Sequence, residues 1–205
     1  MTSLLRQGGA ALRMLLVATV VLGLVYPLAV WGVSRLPGLS GPAEGSIVSG
    51  GSGSSLIGID PVPTDPASDP YFHTRPSASA QDVLGPGDPS TSGGSNQGGL
   101  SDKLLDQVQQ RRAAIAAREA VAPEAVPADA VTASGSGVDP QISPAYADLQ
   151  VARVARVTGL ADTQVRELVE DATDGRVLGF LGEPAVNVTR LNLAISGART
   201  AAGGQ

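Results

Sequence analysis

An uncharged run from Met14 to Ser34, MLLVATVVLGLVYPLAVWGVS, lies between Arg13 and Arg35, and no comparable run occurs elsewhere in the chain. A helix rises 1.5 Å per residue, so about 20 apolar residues cross the hydrocarbon core of a bilayer. The run therefore predicts one transmembrane helix over residues 14–34. A cleaved secretory signal is the rival reading, but its apolar core usually spans about 7 to 15 residues and ends at a small-x-small site. This run is longer, and Ala29-Val30-Trp31 and Val33-Ser34-Arg35 make poor cleavage sites. Trp31 suits the membrane–water boundary. Tyr26-Pro27 lies deeper, where a proline bends a helix or frees a carbonyl. Such a site either packs against something other than lipid, with Tyr26, Pro27 and Trp31 as contact residues, or is simply tolerated.

Charge sets the expected orientation. Arg6, Arg13 and the terminal amine precede the run and only Arg35 follows it closely. Basic flanks stay on the cytoplasmic side, which predicts a cytoplasmic segment 1–13 and the bulk of the chain outside a cell membrane. All 19 acids lie beyond the run, against 11 basic residues after Arg35, a net charge of −8 there. That balance excludes a nucleic-acid ligand, which needs a basic face. The absence of cysteine suits an oxidising compartment.

Residues 35–196 are enough for one domain. Aromatics make up only 3% of the chain, beside 26 glycines and 15 prolines. Its core must come from Val, Leu, Ile and Ala, with much loop. The expected class is therefore α+β: a single N-terminal membrane helix, then one loop-rich extracytoplasmic domain with short strands and about three helices. Ser46–Val48 and Leu56–Ile59, joined by the Gly/Ser tract 49–55, read as a hairpin. Residues 60–99 hold most of the turn formers, and a loop of that length often marks function. Leu100, Leu104, Val108 and Ile115 share one face of a helix capped by Ser101 or Asp102 and running to about Val121. Ala130-Val131-Thr132 reads as a strand. Ser143 with Pro144 starts a second helix that stops at Gly159, with Ala147, Val151, Val154 and Thr158 inward and Arg153 and Arg156 pointing elsewhere. Asp162 caps a third, with Val165, Leu168, Val169 and Ala172 inward. Val177–Phe180 and Val186–Ile195 read as strands, the latter slipping register near Thr189-Arg190 through a bulge. Residues 197–205 read as a disordered tail.

Catalytic chemistry is sparse. His73 is the only histidine, and beside Tyr71, Phe72 and Arg75 it reads as structural rather than as a base. Glu170-Asp171 and Asp174 read as a solvated helix end, or more weakly as a cation site. Ser92-Gly93-Gly94-Ser95-Asn96-Gln97 offers backbone N–H groups to a phosphate ahead of a helix, but lacks the Gly-Lys-Ser/Thr ending of a P-loop. The segment Thr132, Ala133, Ser134, Gly135, Ser136, Gly137, Val138, Asp139, Pro140 joins two elements through hydroxyls and glycine, as a tight loop approaching a partner or ligand does.

That loop also resembles the C subunit of the Kdp potassium-transporting P-type ATPase. The resemblance extends to Tyr71–Ala78, to Ser92–Asn96, to Val154-Ala155-Arg156 with Gly159-Leu160 and Val165-Arg166, and to Leu178–Pro184 with Val186-Asn187-Val188 and Leu191-Asn192-Leu193. These blocks stand in family order behind one span, across residues 12–196. The resemblance implies a non-catalytic subunit that assembles and stabilises an ATP-driven potassium-import complex. Its implied partners are a channel-like potassium-binding subunit and a P-type catalytic subunit. ATP and potassium would be handled by the complex, with no cofactor bound by this chain. The sequence departs at Gln97-Gly98-Gly99-Leu100, where the family often continues Leu-Gly-Pro, and this weakens a nucleotide role for the 92–97 loop. The readings that compete are a membrane-anchored hydrolase using His73 with Ser134 or Ser136, and a cleaved, secreted solute-binding protein.

Overall fold

The computed structural model describes residues 2–48 and 53–203, and the chain divides into two units, Met1–Ile47 and Val48–Gln205. The first unit is a helical run with one irregularity. Helix α1 spans Thr2–Val20, a π turn covers Val21–Val25, and α2 spans Tyr26–Ser34. Within it, Ser3–Ser34 is long and apolar enough to cross a membrane, with a mean hydropathy of 2.3 over its most apolar window. The helix thus begins well before Met14, so the boundary at residues 13–14 marks a change of hydropathy and not a helix start. Pro27 has no N–H to donate to the turn before it. The chain widens there: the Tyr26 N–H reaches back five residues to Val21 O, and the helix continues past the proline. Tyr26, Pro27 and Trp31 all lie on the exposed surface of this unit. Arg35 stacks 5.3 Å from the Trp31 ring and pairs with Glu44 beside the short helix α3, Ser40–Ala43.

The second unit is α+β. Helix α4 spans Asp102–Glu119, α5 Ala128–Val131, α6 Pro144–Thr158, α7 Asp162–Asp171 and α8 Val188–Gly203. Strands β1, Gln141–Ile142, and β2, Thr173–Asp174, flank β3, Ala185–Asn187, in a small antiparallel sheet. Ile142 and Thr173 both lie opposite Val186. Phe72, Ile115, Ile142, Tyr146, Val151, Val154, Val165, Val186 and Leu191 are fully buried in one core.

The helix ends follow local chemistry. Ser101 Oγ accepts the Leu104 N–H of α4, and Ser143 Oγ accepts the Tyr146 N–H of α6. Pro144 occupies the first turn of α6, where a missing N–H is harmless, and Gly159 ends the helix with φ +75°. Helix α7 departs from expectation at its start. Asp162 is its first residue, while the N-cap is Ala161, whose N–H is held by Gln164 Oε1.

Several short elements differ from their sequence patterns. Ala130 and Val131 belong to the helical turn α5, not to a strand, because Asp129 holds the Ser143 N–H and hydroxyl and so fastens α5 to the start of α6. Leu56–Ile59 does not form a hairpin arm. It runs past Pro140, with the Gly58 N–H donating to Val138 O and Ile57 O accepting from Thr189. Of the tract expected to close that hairpin, residues 49–52 lie outside the described residues. Val177–Phe180 is a turn rather than a strand.

The largest difference is at the C-terminus. Of the expected last strand only Val186 and Asn187 are extended, within β3. From Val188 the chain is helical, and it stays so through the residues 197–203 read as a disordered tail; Gly204 and Gln205 lie outside the described residues. The slip near Thr189-Arg190 is the change of period from 2 to 3.6, not a bulge. Val188, Leu191 and Ile195 are the buried helical stripe.

Gly58 has no room for a side chain: a Cβ there would lie 2.5 Å from Pro140 Cα and 2.6 Å from Asp139 O, both backbone atoms. Gly58→Ala is expected to cost about 1–3 kcal/mol through overpacking. Urea unfolding of the full chain in detergent, followed by circular dichroism, measures it.

Candidate functional site

Of the residues singled out by sequence, His73 and the loops 92–97 and 132–140 meet along the extended segment 71–77, whereas Tyr26, Pro27 and Trp31 belong to the first unit. The extended segment 71–77 runs through the domain without a strand partner, and side-chain amides take that place. Gln150 of α6 accepts the His73 N–H at 2.8 Å and donates to His73 O, while Asn192 of α8 accepts the Phe72 N–H and donates to Phe72 O, both at 2.8 Å. Buried backbone groups must be paired, and these two carboxamides pair them as a neighbouring strand would.

Around this segment runs a buried chain of charges. His73 Nδ1 lies 3.1 Å from Asp60 Oδ1 and Nε2 lies 2.6 Å from Asp69 Oδ2. Each ring nitrogen thus faces a carboxylate oxygen. Asp69 Oδ2 also lies 3.1 Å from Arg153 Nη1, whose Nε donates to Glu119 Oε2 at 2.9 Å. Glu119 Oε1 accepts from Arg118, and Arg118 Nη2 donates to Tyr146 Oη at 2.9 Å. Acidic and basic residues alternate from Asp60 to Arg118, three of each. Arg153 further donates to the carbonyls of Asp69 and Tyr71 and to Gln150. Burial pushes the Asp69 carboxyl up, but the His73 hydrogen bond and the charges of His73 and Arg153 outweigh it and hold the carboxyl below its ordinary value. Burial pushes the Tyr146 phenol up against the opposing pull of Arg118.

Arg153 is therefore buried at the centre of this chain, whereas the sequence pattern places it pointing away from the inward stripe of α6. The signal available in sequence was Gln150 and Arg153, three residues apart on α6. Asp60 and Asp69 stood only as turn formers beside prolines, and nothing local linked them to Glu119.

The two glycine-rich loops dock on each other at the end of the extended segment. The Ser134 N–H donates to Pro76 O at 2.9 Å, and the Gly93 N–H donates to Ser136 O at 2.9 Å. Ser134 Oγ, fully buried, accepts the N–H groups of Ser136 and Gly137, and Ser136 Oγ accepts that of Val138. The contact needs glycine: a Cβ at Gly137, where φ is +75°, would lie 2.8 Å from Ser77 Oγ, and one at Gly94 would lie 3.2 Å from Gly135 O. Arg75 reaches Ala133 O and Asp139, whose other oxygen accepts the Gln141 N–H; Pro140 is buried and its carbonyl accepts the Val188 N–H. Thr132 caps the end of α5 through Ala128 O, and Arg111, buried in α4, donates to Val131 O. Gln97 bonds Gln107 of α4, Asn96 takes a φ of +50°, Ser92 is exposed and Ser95 half-buried. The N–H groups of Gly93, Ser136, Gly137 and Val138 thus answer protein oxygens.

The hydrolase pairing is not made. Both His73 nitrogens face carboxylates, so neither is placed to take a proton from Ser134 or Ser136, whose hydroxyls serve the loop backbone.

A family model described as KdpC, the c chain of the K+-transporting ATPase, matches residues 9–197. A potassium-transporting ATPase KdpC subunit of Kineococcus radiotolerans is 49% identical over 201 residues, covering 97% of each chain. The corresponding subunit of Koribacter versatilis is 46% identical over 187 residues, 90% of this chain and 91% of its own. That of Mycobacterium tuberculosis H37Rv is 45% identical over 191 residues, 93% of this chain and 97% of its own.

Removing Arg153 leaves Asp69 and Glu119 buried without their shared cation. Arg153→Ala is expected to lose about 3–5 kcal/mol in urea unfolding of the full chain. The depressed Asp69 carboxyl makes the folded state bind fewer protons than the unfolded one. Its stabilisation is complete above the ordinary value of 3.8 and is lost as pH falls through the lower folded value. Asp69→Asn is therefore expected to flatten the acid limb of a stability-against-pH curve, besides lowering stability at neutral pH.

Proposed function

The chain belongs to the KdpC family, the c chain of K+-transporting ATPases, and from that membership we propose that it is the non-catalytic subunit that assembles and stabilises the complex. It is held in a cell membrane by the single N-terminal helix, with residues 1–13 on the cytoplasmic side and the α+β unit outside. Arg6 and Arg13 ahead of the apolar run, against Arg35 alone just after it, support this orientation. The unit docks on a channel-like potassium-binding subunit and a P-type catalytic subunit, which handle the potassium and the ATP. The turn around Tyr26-Pro27, with Trp31, is the surface on which the helix meets one of them.

The observation that carries the non-catalytic role is the closure of the buried charges on one another. Every ionisable group from Asp60 to Tyr146 in that chain is bound to a protein partner. Such a network holds a shape and leaves no group poised to act on a substrate. Within this proposal the docked loops 92–97 and 132–140 act as a latch that fixes the outer surface, not as a nucleotide cradle.

Deleting the chain is expected to prevent recovery of an intact complex with potassium-stimulated ATPase activity, whereas full activity and normal assembly without it would refute the proposal. Topology is read directly, because the chain has no cysteine. A membrane-impermeant maleimide added to intact cells is expected to label Ser92→Cys and to spare Gln7→Cys; the reverse pattern would invert the orientation.

A further inference from the structure

Residues 175–184 join β2 to β3 and end in a small projecting turn. Val177 and Leu181 exchange N–H···O bonds of 2.9 and 3.0 Å, and the Phe180 N–H closes a turn on Val177 O. The two central residues of that turn, Leu178 at φ +55° and Gly179 at φ +80°, are both left-handed, as in a type I′ turn. Asn-Gly is the usual choice there, because a left-handed backbone crowds a larger side chain. Gly179 meets the requirement. Leu178 adopts the conformation against its preference.

The side chains thus displayed face solvent. Val177 is 66% exposed, Leu178 79%, Phe180 68% and Leu181 50%. Four large apolar groups are thus exposed within five residues, a clustering of the kind that marks an interaction site. The tip breaks two rules at once, apolar exposure and left-handed backbone, and neither is compensated inside this domain. Phe180 is one of only two phenylalanines in the chain, and the other is buried in the core.

The surroundings select the occupant. Arg176 pairs with Glu183 at 2.6 Å and Arg190 pairs with Asp174, so the base of the projection holds neutral pairs. With Glu170 and Asp171, the stretch from 170 to 190 carries four acids against two arginines, a net charge of −2. Anionic lipid headgroups repel such a surface. A protein recess that is apolar at its centre and neutral or basic at its rim accommodates it.

We propose that the tip Val177–Leu181 is a preorganised plug that inserts into an apolar recess on the outer face of a membrane subunit of the same complex. This rests on the assembly role proposed above and names the contact. The left-handed turn is the device that holds Leu178 and Phe180 in the inserting geometry before the partner arrives, which lowers the ordering cost of association.

Two measurements test it. Replacing Phe180 with photoreactive p-benzoylphenylalanine in membranes holding the whole complex is expected to give an adduct with another subunit. Adducts with lipid only, or none, would overturn the proposal. In the second, the full chain carrying Leu178→Asn and Phe180→Ser is expected to recover the complex about tenfold less well in a pull-down, as loss of two anchoring side chains implies. Its own unfolding midpoint in detergent should be unchanged or raised by a few degrees, because Asn suits the turn. Recovery equal to that of the unsubstituted chain would overturn the plug while leaving the assembly role intact. Failure of the unsubstituted chain to recover any membrane subunit would overturn both.

Discussion

Arg153 is the group on which the α+β unit depends. Its guanidinium holds the Asp69 and Glu119 carboxylates, the carbonyls of Asp69 and Tyr71, and the Gln150 amide at once. Through it, α6 is tied to α4 and to the long segment that precedes α4. A buried ion is costly unless its partners surround it, and five bonding groups from three parts of the chain do so here. With aromatics at 3%, the core has little bulk to specify one packing over another. Directional charged bonds supply that choice, because a guanidinium fork and a carboxylate fit in few geometries.

From this anchor the other arrangements follow. Segment 71–77 is extended because Gln150 and Asn192 answer its backbone, and His73 is locked between Asp60 and Asp69. The segment then delivers Pro76 and Ser77 to the place where loops 92–97 and 132–140 meet. Glycine suits that meeting: a Cβ at Gly94 would crowd the Gly135 carbonyl, and one at Gly137, on a left-handed backbone, would crowd the Ser77 hydroxyl. The long loop is therefore an ordered strap across the domain, and its turn formers shape the strap.

Two departures from local preference lie on exposed segments. The π turn at Val21–Val25 accommodates a proline within an apolar helix, and the turn at Leu178 displays apolar groups on a left-handed backbone. Natural chains keep such departures where function needs them and the rest of the fold can sustain them. Neither segment contributes a residue to the buried charge chain.

The membrane helix, α4, α6 and α7 were legible in the sequence, because long periodic patterns and end signals such as Ser101, Ser143 with Pro144, and Gly159 act over a few residues. The family was legible as well, through blocks kept in order. The last element was not: Val186, Val188, Leu191, Leu193 and Ile195 fit an alternating pattern until Thr189-Arg190, and only pairing of three residues with β1 and β2 decided where extension stops and α8 begins. The charge chain was hidden for a different reason. Asp60, Asp69, Glu119 and Arg153 are far apart in sequence, and an acid beside a proline or an arginine off a helix stripe names no partner until the fold brings the two together. Local propensity and hydropathy are written residue by residue, so sequence alone determined the class of the protein and most of its helices. Burial and pairing of distant polar groups exist only once the chain has closed on itself, so tertiary structure alone decided which charges are interior, which loops meet, and which apolar residues remain outside.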